Sequence, residues 1–188
     1  MNQTHKIDGT ESGVPSEEQM RTTVIETINL GKTFVSESKT ETEVFNNLNF
    51  DIKAGEFVCL IGHSGCGKTT ILRSIAGFVN IVDGEINYNG NLISTSTFHV
   101  PPENRRIGMV FQEPSLFPHL TIIQNIQAGL LKYDKNDIEQ NKIIYDLISR
   151  MNLNNLLTKY PHEVSGGEQQ RTALIRSIVS KPNLLLKN

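Results

Sequence analysis

The sequence predicts an α/β fold organised around a strand, a glycine-rich loop and a helix, and three observations predict it. Glu56–Ile61 (EFVCLI) is a nearly unbroken apolar run after the turn Lys53-Ala54-Gly55, the pattern of a strand buried on both faces. Gly62–Gly67 follow at once, and Ile71, Leu72 and Ile75 then recur at helical spacing until Gly77 stops the pattern. Further along, the apolar strand candidates Arg106–Phe111 (RIGMVF) and Leu184–Leu186 alternate with amphipathic helices.

The elements follow in order. Residues 1–22 are polar, with Asp8, Glu11, Glu17 and Glu18 against Lys6 and Arg21, and are expected to form a disordered leader. Thr23–Leu30, with Val24, Ile25 and Ile28, reads as the first strand. Ser36–Glu43 is turn-like, and Phe45–Ile52 is a second strand with Phe45, Leu48, Phe50 and Ile52 apolar. Past the turn Val82-Asp83-Gly84, Glu85–Tyr88 runs into Asn89-Gly90, a hairpin signature. Leu120–Leu131 and Asp137–Met151 predict helices, the second with Ile144, Leu147, Ile148 and Met151 on one stripe. Ser165–Ser180 predicts a third, with Leu174, Ile175, Ile178 and Val179 together.

The 188 residues suit one domain, or one domain and a tail. A formal net charge of −2 gives no global basic field, which argues against a nucleic-acid binder. Cys59 and Cys66 make no disulfide framework and read as reduced thiols of a cytosolic protein. No run of 18 apolar residues is present, so a membrane role has to come through a partner.

Gly62-His63-Ser64-Gly65-Cys66-Gly67-Lys68-Thr69 matches G-x-x-x-x-G-K-[ST] throughout, between an apolar strand and an amphipathic helix. Glycines let a backbone wrap a triphosphate with successive N–H groups pointing inward. The helix that follows adds its N-terminal amides and dipole, with Thr70 in its first turn. Lys68 supplies a cation for the β- and γ-phosphates, and the Thr69 hydroxyl suits Mg²⁺. The spacer positions His63 and Cys66 are assigned no chemistry of their own.

A second glycine motif, Val164-Ser165-Gly166-Gly167-Glu168, opens the helix after His162-Glu163. With Gln169-Gln170-Arg171 behind it, it resembles the signature motif of ATP-binding-cassette ATPases. The stretches GEFVCLIGHSGCGKTTILRSIAGF, PPENRRIGMVFQEPSLFPHLTIIQNI and YPHEVSGGEQQRTALIRSIVSKPNLLL look like the ATPase subunits of bacterial importers, of the iron(III), polyamine or sulfate kind. That resemblance covers about residues 23–186. It implies a P-loop NTPase fold, a three-layer core with an antiparallel β subdomain and a helical subdomain. By resemblance Phe34 stacks on adenine, and Gln112 touches Mg²⁺ or the attacking water. The signature motif of one subunit caps the γ-phosphate held by the other, in a head-to-tail dimer with two ATP. The same resemblance implies integral-membrane permease subunits as partners and a peripheral place on the inner face of the cell membrane.

Three departures from the family pattern stand out. Val164 replaces the usual Leu, and Glu168 stands where Gln is commonest. Lys187 and Asn188 occupy positions where the family continues with an apolar residue and the Asp of Asp-Glu-Pro. The resemblance therefore implies a nucleotide-binding domain over residues 23–188 that stops at the start of the Walker B strand, with an incomplete core sheet and without its general-base Glu. Defective hydrolysis is the expectation. The competing readings are a non-catalytic nucleotide-binding fragment and a cassette protein outside transport.

Overall fold

A computed structural model describes residues 5–6 (backbone only), 22–130, 134 and 136–188. Two compact units divide the chain, Met1–Arg105 and Arg106–Asn188.

The first unit is built on an antiparallel sheet. Strands β2 (Thr23–Val35), β3 (Glu41–Lys53), β5 (Asp83–Tyr88) and β6 (Asn91–Ser94) lie in the order β3-β2-β5-β6. The β2–β3 ladder is interrupted because the apolar spacing demands it. Phe45 and Leu48 are three apart, which would put them on opposite faces of a regular strand. The register moves from Leu30↔Leu48 to Lys32↔Phe45, two residues against three. Asn47, at φ 52°, takes up the extra residue, so both side chains face inward. Asn89 and Gly90 both have positive φ and turn β5 into β6, as the Asn-Gly signature predicts. Ile25, Leu30, Ile75 and Ile86 are fully buried apolar residues of this unit's core.

Helix α1 (Lys68–Ala76) follows the glycine loop and ends at Gly77, whose φ of 88° forms a left-handed cap with N–H groups returned to Arg73 and Ser74. An ideal Cβ on Gly77 would stand 2.6 Å from Nε of Arg105. Arg105 closes the short helix α2 (Pro102–Arg105) and is only 2% exposed. Its guanidinium donates to the carbonyls of Ser74 and Ile75 in the last turn of α1, to Val100 O and Ile93 O, and to Ser94 Oγ at 2.6 Å. Burial lowers its pKa to about 10. A buried cation here is held by the carbonyl end of a helix, where the dipole favours positive charge.

The strand expected over Glu56–Ile61 is the main correction. Only Val58–Cys59 (β4) is a strand, and Phe57 and Ile61 are 70% and 56% exposed. The run is half-covered on one face, at Val58 and Leu60, and open on the other, because an apolar run is buried on both faces only when layers cover both. Its backbone partner is a two-residue strand of the leader, β1 (His5–Lys6), paired antiparallel. The rest of the leader, up to Arg21, lies outside the described residues.

The second unit holds a parallel pair, β7 (Gly108–Val110) and β8 (Leu185–Lys187). Beside it are helices α3 (Ile122–Gln127), α4 (Ile138–Arg150) and α5 (Gly166–Ile178). Ile122, Ile126, Ile144, Ile148, Leu153, Ile175 and Val179 form its core. Helix α3 is shorter than Leu120–Leu131: Thr121 caps its start, and Leu131 lies outside the described residues. Asp137 caps α4 and Ser165 caps α5, as the expected boundaries imply. Among the described residues, no helix is long and apolar enough to cross a membrane.

Candidate functional site

The glycine loop occupies residues 62–67 between β4 and α1. Gly65 and Gly67 have φ of 82° and 92°, a region costly for any residue with a Cβ. Gly67 serves as N-cap of α1 without a side-chain cap, and no acidic residue stands in the first turn. A Cβ on Gly67 would meet Val44 Cγ1 at 2.8 Å, whereas one on Gly65 would point into open space. The loop is thus packed on β3 at one glycine and open at the other. Lys68 folds back over it, and Nζ donates to Gly62 O and His63 O, both at 2.8 Å, with Cys66 Sγ at 3.5 Å.

These features fit a polyphosphate. The start of a helix presents N–H donors and positive dipole, and here no carboxylate of its own competes for them. Lys68 already spans the loop on two neutral carbonyls, which a charged phosphate oxygen can replace. His63, Ser64 and Gly65 are exposed along the rim, while Cys66, Thr69 and Thr70 are half-buried. Thr69 offers a hydroxyl oxygen of the hard type that Mg²⁺ takes. Among the described residues no cluster of three or more His, Cys, Asp or Glu could hold a metal by itself. A cation at this loop would therefore rely on the nucleotide and water for most of its ligands.

Phe34 is 46% exposed, with Lys32 Nζ 4.7 Å from its ring centroid. Its register partner is Thr42, two residues along β3 from the Val44 against which Gly67 packs. Strand register thus brings this open ring and the loop to the same stretch of β3.

In the second unit Gln112 is exposed and lies two residues past β7. The glycine motif at Val164–Glu168 forms the start of α5, but its geometry differs from that of α1. Ser165 N and Ser165 Oγ both donate to Glu168 Oε2, at 2.7 and 2.8 Å, and Glu168 N returns to Ser165 Oγ at 3.4 Å. These bonds, the one from Ser165 N first, hold the Glu168 carboxyl below the usual carboxylate range. Gly166 and Gly167 leave the approach open, with nothing nearer to a built Cβ than Arg171 Nη1 at 3.7 Å from Gly167.

Three polar residues escaped the sequence reading. Arg105 looks like any charge of the Asn104-Arg105-Arg106 stretch, and nothing in the sequence marks it as buried. Asn125 was legible in principle: it shares the buried stripe of α3 with Ile122 and Ile126, a polar side chain among apolar ones. Arg176 falls outside the apolar stripe read for α5, and only the fold shows that it is half-buried and reaches two carbonyls.

Comparisons with known proteins bear on the family and the fold. The family described as ABC transporter matches residues 45–187. The chain is 39% identical over 152 residues to the spermidine/putrescine import ATP-binding protein PotA of Vibrio vulnificus, covering 81% of this chain and 39% of that protein. It is 46% identical over 144 residues to the Fe(3+) ions import ATP-binding protein FbpC of Fusobacterium nucleatum, covering 76% of this chain and 38% of that one. It thus spans about two fifths of the length of these relatives. Among solved structures it resembles the dimeric ATP-binding cassette MJ0796 in a post-hydrolysis state bound to ADP and Pi. There the TM-score is 0.75 at 28% identity, covering 87% of this chain and 72% of that one.

Proposed function

From the premise that this chain belongs to the ABC transporter family, with its P-loop NTPase architecture, we propose that it binds MgATP at Gly62–Thr70 as the ATP-binding part of an importer. The observation that carries this reading is the start of α1, without a side-chain cap or first-turn acid, beside a lysine folded onto neutral carbonyls. Backbone amides of the loop take the phosphates, and Lys68 exchanges Gly62 O and His63 O for phosphate oxygens. Phe34 offers its open ring to the adenine. Thr69 would hold Mg²⁺, which supplies charge neutralisation at the phosphates. Ser165, Gly166 and Gly167 would receive the γ-phosphate bound by a second subunit. The dimeric state of the MJ0796 cassette supports that arrangement.

The import names of the relatives support coupling to a membrane permease and a peripheral place on the membrane's inner face. Those names include both polyamines and ferric iron, so the cargo class is left to the permease. Equilibrium dialysis of the chain with MgATP tests the binding step. Saturable binding that Lys68→Ala weakens at least tenfold, with unchanged thermal unfolding, is the expected result. Binding indifferent to Lys68, or none, would overturn the reading.

A further inference from the structure

We propose that Arg176 is the positioning residue that fastens the loop around Gln112 to helix α5, so that the start of α5 and the Gln112 loop move together. The inference rests on the reading above in taking Gln112 and Ser165 as nucleotide-handling groups; the fastening itself rests on geometry within the second unit.

Gln112 is bracketed by two consecutive residues of α5. Before it, the Ser177 hydroxyl shares its proton between Met109 O in β7 and Ala173 O of its own helix, each at 3.1 Å. After it, Arg176 Nη1 donates to Ser115 O at 3.1 Å and Nη2 to Pro114 O at 3.3 Å. The guanidinium also lies over the Phe117 ring, 5.5 Å from its centroid. Arg176 is half-buried, which lowers its pKa, and among the described residues no carboxylate pairs with it. A cation desolvated without a counter-ion is held here by backbone carbonyls and an aromatic face. Those acceptors report the loop's path rather than its side chains.

The loop does not hold itself in this path by turn chemistry alone. Ser115 has φ 47°, a conformation that costs a non-glycine residue roughly 1–2 kcal/mol. From the other side the fully buried Asn125 of α3 accepts from Phe117 N and donates to Phe117 O, Leu120 O and Thr121 O. Asn125 thus fixes residues 117–121, and Arg176 fixes 114–115, the part next to Gln112. Arg176 cannot drift independently, because Gly129 packs so closely that an added Cβ would collide with Arg176 O. Helix α5 is a hydrogen-bonded rod from Ser165 to Ile178. A shift at its start is carried to the residues flanking Gln112, provided the two side-chain ties hold. Lysine cannot substitute, because one ammonium does not span two carbonyls and stack on a ring at once.

Amide hydrogen exchange on the full chain, with and without MgATP, tests this. Arg176→Lys is expected to raise exchange at Ser115–Phe117 roughly tenfold, the effect of losing one or two charge-assisted hydrogen bonds. Exchange at Ile126 and Ile148 should stay as in the wild type. Phe117→Leu, which leaves the guanidinium in place, should give a smaller rise at the same residues. ATP affinity should be unchanged in Arg176→Lys, while any ATP-induced protection of 115–117 seen in the wild type disappears. Wild-type exchange at 115–117 in Arg176→Lys overturns the proposal, as does a uniform rise across α3, α4 and α5, which marks a merely stabilising residue. ATP-induced protection that survives in Arg176→Lys overturns the coupling. A wild-type chain that binds no MgATP overturns the function proposed above, and the exchange comparison without nucleotide then decides the fastening.

Discussion

Helices α1 and α5 both begin at a glycine-containing motif, yet their first turns are finished in opposite ways. Helix α1 starts at a left-handed glycine with no side-chain cap and no acid in its first turn. Helix α5 starts with a serine whose amide and hydroxyl are already committed to the carboxylate of Glu168. The far ends differ as well. Arg105 gathers the last carbonyls of α1, whereas α5 sends Arg176 and Ser177 outward to β7 and the loop after Gln112. The difference teaches that a glycine motif at a helix start is not in itself an anion site. What matters is whether the helix's own side chains have already answered its amides. By that criterion α1 is ready for a phosphate, whereas at α5 the capping box has already taken up the amides of Ser165 and Glu168.

The largest way to disturb this contrast is at the anchored end of α1. Arg105→Met should lower stability by about 3 kcal/mol or more, because it removes the donor to Ile75 O and Val100 O and the second donor to Ser74 O and Ile93 O. Denaturant unfolding measures it, and ATP binding should fall only in proportion to the unfolded fraction. Next comes Lys68→Ala, expected to weaken ATP roughly 10- to 100-fold with little change in stability, since Lys68 Nζ bonds groups of the loop itself. Gly67→Ala should cost about 1–2 kcal/mol, from the left-handed φ and the contact with Val44, in the unfolding free energy. Ser165→Ala removes the cap of α5 and should cost about 1 kcal/mol while leaving ATP affinity at the loop unchanged.

The smallest effect is one of pH. Glu168 has a depressed folded pKa, so its contribution is present above the usual carboxylate value of about 4.3 and is lost as pH falls through the folded value. Glu168→Gln should flatten this acid limb in a pH series of unfolding midpoints while keeping the amide side of the cap.

Much of this was legible before any coordinates. The glycine loop opening a helix, the Asn-Gly hairpin and the capped starts of α4 and α5 each follow from local chemistry, and the structure keeps them. The bulge at Asn47 was implicit in the three-residue step from Phe45 to Leu48. Burial of Glu56–Ile61 was not legible correctly, because an apolar run states what a strand needs and not what is there to cover it. The roles of Arg105 and Arg176 were hidden for a related reason. Each arginine bonds backbone carbonyls, which every sequence contains, so no partner residue type signals the contact.

The most direct test of the contrast is an amide NMR titration of the whole chain with MgATP at low protein concentration. Amides of Gly65 to Thr70 are expected to shift and saturate, while those of Gly166 to Glu168 stay unchanged until protein concentration is raised. Shifts at Gly166 to Glu168 that saturate with the loop at every protein concentration, or no shift at Gly65 to Thr70, would contradict the account.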